Sequence, residues 1–381
     1  MKYLNKTKKI ALFILIGCVS FALLSFESNN SKFKKIQSII DKATDGKLQG
    51  VLISIESPEY GKWIGKSGYA NTKTNTLIDK NAIFSLASIG KTYTATAVLK
   101  LVEDGKLQLD DKIENYLPRE IIEGLPNAEK VTIRNLLGHT SGFYNYNSNP
   151  ELNKLYLSGN LKLDTLSHIN ALRRYAYGKT YSKAIYGKFN YCSTNYLLLT
   201  MIMDTILPDG HVKYMRDFLK HHGFKNTYYK QIPDSSNLQY YGDINLDETL
   251  ENLTSQTIET TNWYSGDDGI YATIDDATNF LKKLVDGKIL GKEILKEMMT
   301  WNDENDPDYG LGLMADKSFP YKFLLGHSGR GIGITTDLYY FPHKDMTIAI
   351  FCNTGLRSAS PIFKKEYSKM RNRIIKKLFL F

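Results

Sequence analysis

The sequence predicts a mixed α/β (α+β) fold: an antiparallel β-sheet flanked by N- and C-terminal helices, with a mostly helical domain inserted between its two halves. Three observations predict it. Short strand-like runs lie toward both ends of the 381-residue chain, helical periodicity dominates the middle, and amphipathic segments precede the first strands and follow the last.

Taken in order, Lys2, Lys6, Lys8 and Lys9 stand before an apolar run from Ile10 to Phe26, the charge order of a secretory signal. Leu15-Ile16-Gly17-Cys18 resembles a bacterial lipobox, which makes Cys18 a lipidation site. The residues after it stay apolar, so an uncleaved anchor stands beside the lipoprotein reading. Either way the chain is expected to be exported and held at a membrane through residues 1–30. Phe33, Ile36, Ile39, Ile40 and Ala43 recur at helical spacing, with Gly46 as the stop. Gly50–Ile55 and Lys62–Gly68 then read as a hairpin around Ser57-Pro58-Glu59-Tyr60-Gly61. In the middle, Thr94–Asp104 and Asn195–Ile206 are the clearest helices. Strands return at Gly269–Thr273, Leu338–Phe341 and Thr347–Phe351, with helices at Ile274–Val285 and Ile362–Phe379. The last carries Phe363, Tyr367, Met370, Ile374 and Leu378 on one face and should pack on the sheet. Residues 31–87 and 262–381 form the expected sheet domain, residues 88–261 the helical one, and the site is expected in the cleft between them.

A chain with 42% hydrophobic and 23% charged residues can build a globular core. Four of its nine excess positive charges precede the apolar run, and the mild remainder argues against nucleic acid as a partner. The basic cluster from Lys364 to Lys377 reads as a solvated helix face. Cys192 and Cys352 sit in apolar or aromatic runs and show no metal-ligand spacing with histidine, so both read as buried thiols. No metal or organic cofactor is called for.

The residues that carry chemistry begin with Ser88-Ile89-Gly90-Lys91 at the start of a helix. Side chains three apart share a helix face, so the Ser88 hydroxyl and the Lys91 amine can meet. An alcohol attacks only after something removes its proton, and lysine serves as that base if burial or a positive field keeps it neutral. Ser88-Ile89-Gly90-Lys91 resembles the serine–lysine motif of the family that holds class C β-lactamases, D-alanyl-D-alanine peptidases and related esterases. The stretch from Val131 to Gly142, with Leu136-Leu137-Gly138-His139-Thr140-Ser141-Gly142, is similar to a hallmark of that family. The likeness runs from about Gly50 to Asn353, and it implies a β-lactamase/transpeptidase-like fold.

The same resemblance implies roles for two further motifs. Tyr191-Cys192-Ser193 is similar to the family's Tyr-x-Asn, with serine in place of asparagine, and makes Tyr191 the proton shuttle. The change at Ser193 puts lysine orientation and substrate amide recognition in question. His327-Ser328-Gly329, ahead of a strand-like Ile332–Tyr340, stands in the place of Lys-Thr-Gly and implies a strand edge that binds substrate. The N–H groups of Ser88 and Arg330 would form the oxyanion hole, and the Arg330 side chain would meet a substrate carboxylate or solvent. His139 is read as structural, while Tyr309 to Leu313 and Gly266-Asp267-Asp268-Gly269 are read as backbone devices.

The expected activity is acyl transfer from an amide or ester to Ser88 followed by hydrolysis. A D-alanyl-D-alanine carboxypeptidase-like peptidase acting on peptidoglycan leads, with esterase and β-lactamase as alternatives. Two rivals differ in kind: a penicillin-sensing protein that acylates without turnover, and an α/β-hydrolase using Ser328 in Gly326-His327-Ser328-Gly329 as its nucleophile.

Overall fold

The computed structural model describes residues 31–157, 166–182, 184–233, 236–302, 309–317, 323–355 and 360–379. The predicted export segment and Cys18 lie outside the described residues. Alternation builds the first hairpin: in Gly50–Ser57 (β1), Val51, Ile53 and Ile55 enter one core and Leu52 enters the other, as expected of a strand covered on both faces. Gly61–Asn71 (β2) returns antiparallel to it. The remaining strands in chain order are Thr76–Leu77 (β3), Phe84–Ser85 (β4), Thr227–Tyr229 (β5), Tyr241–Gly242 (β6), Glu251–Asn252 (β7), Ile270–Ala272 (β8), Met314–Asp316 (β9), Leu324–Arg330 (β10), Thr335–Phe341 (β11), Met346–Cys352 (β12) and Thr354–Gly355 (β13).

The main sheet runs β3-β2-β1-β12-β11-β10-β9, and each neighbouring pair is antiparallel. The hairpin from the start of the chain thus pairs with strands from its end, Leu52 opposite Phe351 and Ile53 opposite Ile350. Two helices, residues 31–44 and 361–379, cover one face, where Phe33, Ile36, Ile40, Tyr367, Met370 and Ile374 join Val51, Ile53 and Ile350 in a core. Burying that many large apolar side chains contributes roughly 1.5–3 kcal/mol each. In the terminal helix, Lys364, Lys365, Lys369, Arg373 and Lys376 are exposed, as the solvated-face reading expects.

On the opposite face lie the Ile274–Val285 helix and a larger core that continues into the Gly90–Glu103 and Ser193–Ile206 helices. A small sheet, β4-β8-β5, joins the approach to Ser88 to strands far along the chain: Phe84 pairs with Ala272 and Ser85 with Tyr271. This short zipper fixes the site.

One element differs from the sequence reading. His327-Ser328-Gly329 lies within β10 rather than ahead of a strand, and Gly331 to Ile334 is the turn into β11, closed by Gly331 N–H donating to Ile334 O at 2.9 Å. Glycines at 326, 329, 331 and 333 erase the two-residue hydrophobic signal that marks a strand. The antiparallel sheet also removes the α/β-hydrolase reading, because Ser328 sits inside an antiparallel strand and not on a strand-to-helix elbow.

Candidate active site

From Phe84 to Leu99 every side chain is buried except Ser88, which is half-buried at the mouth of a cleft. The turn that presents it is tight. Ala87 adopts φ 48°, a conformation uncommon for a residue with a side chain, and the Ala87–Ile89 turn runs directly into the Gly90–Glu103 helix. Gly90 lets the Asp268 backbone pack closely there, since a Cβ would stand 3.0 Å from the Asp268 carbonyl oxygen. Gly329 is required on the other side, where a Cβ would come within 2.3 Å of Leu86 O. Thr336 Oγ1 donates to Leu86 O at 2.9 Å and ties the sheet to the same turn. The first and third motifs therefore meet at Ser88.

Lys91 is wholly buried, with Nζ donating to Ser88 Oγ at 3.2 Å and to the Asp267 carbonyl oxygen at 3.0 Å. Its charge state departs from the sequence expectation of a neutral amine. Burial disfavours the ammonium, but Tyr191 and the carboxylates of Asp267 and Asp268 outweigh it and hold the amine above its ordinary value. Burial alone would favour the neutral amine; the two aspartates, far along the chain, reverse it.

Tyr191 stands across the cleft, its ring centroid 5.0 Å from Lys91 Nζ, and its buried hydroxyl has no hydrogen-bond partner. His139 fixes it. The imidazole, itself at φ 56°, accepts from Cys192 N at 3.1 Å through Nδ1 and packs on the Tyr191 ring at 4.4 Å. Burial, then the Lys91 charge, push His139 well below its usual range, so it is neutral and structural, as the sequence suggested. Ser193 opens the next helix, buried, and its N–H donates to Asn145 Oδ1 at 3.2 Å.

Along β10 the side chains alternate. His327 and Gly329 pair with Leu338 and Thr336, while Ser328 and Arg330 pair with Asp337 and Thr335 on the other face. His327 is buried, bonded through Nε2 to the Tyr309 hydroxyl at 3.1 Å, and pushed down to about 3 mainly by burial, so it is neutral. Ser328 Oγ donates to Met314 Sδ at 3.7 Å. The expectation that the Arg330 side chain meets a substrate carboxylate is corrected: its guanidinium donates to Gly329 O, Thr336 O and Asp337 Oδ1 at 2.7, 2.6 and 2.8 Å. Strand alternation turns it away from His327. Cys192 and Cys352 are free and buried, as predicted.

Three side chains of this site were not singled out by sequence reasoning. Tyr309 holds His327. Asn147 donates from Nδ2 to Asp267 Oδ2 at 3.3 Å, leaving its Oδ1 without a partner. Asp268 is pushed up to about 7, chiefly by burial and then by Asp267. A signal for the last existed, two adjacent acids between glycines. Beside Tyr191 and Tyr309 opens a cavity of about 460 Å³, lined also by Phe189, Met314 and Leu324.

A serine and a buried lysine one helical turn apart, opposite a tyrosine and a glycine-edged antiparallel strand, define a serine hydrolase of the β-lactamase-like fold. The Beta-lactamase family model matches residues 43–366, and the chain belongs to that family. Among its relatives is PbpX of Bacillus subtilis (strain 168), which carries a penicillin-binding-protein name and is 26% identical over 75% of this chain and 71% of its own. Penicillin-binding protein 4 of Amycolatopsis lactamdurans is 29% identical over 40% of this chain, a match that spans only 37% of that protein. In fold, the chain is similar to a D-stereospecific amidohydrolase from Streptomyces sp., with TM-score 0.72, 23% identity, and coverage of 88% of this chain and 98% of that one.

Proposed function

We propose that Ser88 is the nucleophile of a hydrolase that cleaves amides or esters through an acyl-enzyme, and that its substrate is a D-amino-acid peptide of the cell wall. One observation carries the proposal: Ser88 is the single accessible side chain in a buried run, with an ammonium 3.2 Å from its oxygen. Ser88 Oγ attacks the carbonyl carbon, and its proton passes to Tyr191 Oη in a relay in which the phenol gives up its own proton toward the leaving nitrogen or oxygen. The Lys91 ammonium stabilises the oxygen that loses it. N–H groups of Ser88 and Arg330 receive the developing oxyanion. Tyr191 then protonates the leaving nitrogen or oxygen as its bond to carbon breaks. Water repeats the sequence on the ester, returning the proton to Ser88.

The penicillin-binding-protein names of relatives, the fold shared with a D-stereospecific amidohydrolase and the predicted export segment support the substrate class. The cavity beside Tyr191 joins aromatic and aliphatic walls to the charged Asp316 and Arg371 and so offers room for a substituent with both apolar and polar parts. A second reading, an esterase or amidase for substrates without a terminal carboxylate, is favoured by the third motif, where His327 is neutral and Arg330 is committed to Asp337.

Intact-mass spectrometry and turnover with D-Ala-D-Ala peptides, short-chain p-nitrophenyl esters and a fluorescent penicillin test both. The proposal expects an adduct on Ser88, lost in Ser88→Ala and retained in Ser328→Ala. Activity that survives Ser88→Ala ends it, and activity on esters alone selects the second reading. An adduct that never turns over on the peptides and esters overturns both in favour of a sensor, whereas a lasting adduct with the penicillin alone fits a penicillin-inhibited peptidase.

A further inference from the structure

The two helices on the first core, residues 31–44 and 361–379, lie side by side and antiparallel. Lys32 Nζ donates to the Tyr60 hydroxyl at 2.9 Å, and that hydroxyl reaches Leu378 O at 3.5 Å, so the start of one helix stands beside the end of the other. At the opposite end a Cβ on Gly46 would come within 3.3 Å of Glu366 Oε2. Both helices turn apolar sides to the sheet, Phe33, Ile36 and Ile40 from the first and Met370, Ile374 and Leu378 from the second. Their other sides form one outward layer.

That layer is basic. Lys34, Lys35 and Lys42 are exposed on the first helix, and Lys364, Lys369, Arg373 and Lys376 on the second. None of the seven is in an ion pair among the described residues, whereas the exposed Lys213 and Lys288 elsewhere are each answered by an aspartate. The only acids on the two helices are Asp41 and Glu366, and neither is exposed. Lys369, Arg373 and Lys376 follow one another a helical turn apart, a spacing at which like charges oppose the helix unless an outside anion answers them. None of the exposed large apolar side chains among the described residues belongs to these helices, so the layer is suited to a charged surface rather than to an apolar groove.

The chain brings such a surface near. The first helix opens at Ser31, five residues after Phe26 ends the apolar run. Five residues reach at most about 18 Å, and the thirteen from Cys18 to Ser31 at most about 47 Å. A bilayer that holds the run or the acylated cysteine therefore has this layer within reach. The helix that carries Lys91, and with it the Ser88 turn, packs on the opposite face of the sheet.

We infer that the outward face of these two helices is a membrane-docking surface, whose seven cations lie against anionic lipid headgroups and hold the tethered protein with its Ser88 cleft turned away from the bilayer. The inference rests on the export reading of residues 1–30 and is independent of the reaction assigned to Ser88. It gives the basic helix face a role beyond solvation.

The test floats the full chain with vesicles of phosphatidylcholine alone and of phosphatidylcholine mixed two to one with phosphatidylglycerol, then acetylates accessible lysines briefly and reads each one by peptide mass spectrometry. On the anionic vesicles Lys34, Lys35, Lys369 and Lys376 should label about fivefold more slowly than on the neutral ones, the factor that attraction of one cation to an anionic surface supports. The protection should vanish between about 0.05 and about 0.5 M NaCl, as the Debye length falls from roughly 14 to roughly 4 Å. The exposed Lys106, Lys225 and Lys292 should label alike throughout. The triple variant Lys369→Glu/Arg373→Glu/Lys376→Glu should lose the protection at Lys34 and Lys35, and Lys106→Glu/Lys225→Glu/Lys292→Glu should keep it, with the urea midpoints of both near that of the parent. If the first variant does not fold, the lipid and salt dependence of the unaltered chain decides alone. Flotation with both vesicles and labelling that ignores the lipid overturns the inference and leaves the anchor standing. Flotation with the anionic vesicles alone, with the same protection, removes the anchor and supports the docking face. Flotation with neither overturns both. Protection by soluble polyglycerol phosphate that the anionic vesicles do not reproduce assigns the face to an anionic polymer and overturns the inference as well.

Discussion

Lys91 and Arg330 are two largely buried cations supplied by motifs that meet at Ser88, and they are finished differently. Arg330 is closed: two backbone oxygens and Asp337 take its N–H groups, its guanidinium lies over the Phe363 and Tyr367 rings, and the Tyr367 hydroxyl donates to the other Asp337 oxygen at 2.8 Å. Lys91 is open. Its ammonium has two hydrogen-bond acceptors for three donors, and Tyr191 Oη, Asp267 Oδ1 and Asn147 Oδ1 nearby lack partners. A satisfied buried charge holds a fold, whereas one left with unpaired neighbours is arranged to gain partners during a reaction.

The sharpest way to break this contrast is Lys91→Met. Ser88 acylation should fall by on the order of 10³-fold. The urea midpoint should fall less than in Arg330→Met, because the acceptors of the Lys91 ammonium are Ser88 Oγ and the Asp267 carbonyl oxygen rather than a carboxylate, and Asp267 and Asp268 lose only part of their compensating charge. Stopped-flow acylation and urea unfolding of the same sample check both halves. A large loss of stability would put Lys91 in the same class as Arg330.

Arg330→Met should behave in the opposite sense. Asp337, 1% exposed, loses its nearest cation and keeps Tyr367 and the more distant Arg371, whose Nη1 is 3.6 Å away. Breaking a buried pair costs about 3–5 kcal/mol, and urea unfolding should show it. Pairing the change with Asp337→Leu should recover much of the loss, since both charges are then gone. Acylation measured below the unfolding transition should drop far less than in Lys91→Met.

The two aspartates beside Lys91 give the contrast a pH dependence. Asp268 is pushed up to about 7 by burial and by Asp267, against an unfolded value near 4. Between those limits the folded state binds a proton that the unfolded state has released, so stability falls as pH rises through this window. Above about 7 the penalty is complete. Asp268→Asn removes it, so its stability advantage over the parent should grow from pH 5 to 7, reach a few kcal/mol and level off. Thermal unfolding at pH 5, 6, 7 and 8 checks the sign; an advantage that shrinks with rising pH would mean that Asp268 is paired and ionised.

How much of this was legible follows from the range of each contact. The Ser88–Lys91 pair is written within one helical turn, so three-residue spacing placed it, and the flanking helices and the first hairpin follow from periodicity of the same short range. Tyr191 was reachable through its resemblance to a family motif, not through local pattern. Asp267, Asp268 and Asn147 reach the site through the pairing of Phe84–Ser85 with Tyr271–Ala272 and the packing of the Tyr146–Ser148 turn, contacts that span more than a hundred residues. No local pattern encodes that juxtaposition, and the glycines around the acids suggested a turn. Arg330 was misjudged for a different reason. Placing His327 inside the strand would have put Arg330 opposite it by the two-residue period, but the strand was expected from Ile332, whereas β10 begins at Leu324.

The smallest expected effect isolates burial from geometry. Arg119 Nε lies 2.6 Å from Glu123 Oε1, closer than Arg330 Nη2 lies to Asp337 at 2.8 Å, and the two residues are one helical turn apart. Distance alone would rank the first pair higher. Its side chains are 89% and 61% exposed, however, so solvent screens the attraction and side-chain entropy opposes it. Arg119→Ala should leave stability within about 0.5 kcal/mol of the parent. A loss in urea unfolding approaching that of Arg330→Met would show that contact length, rather than removal from water, sets the strength of these pairs, and the distinction between the closed and open cations would lose its basis.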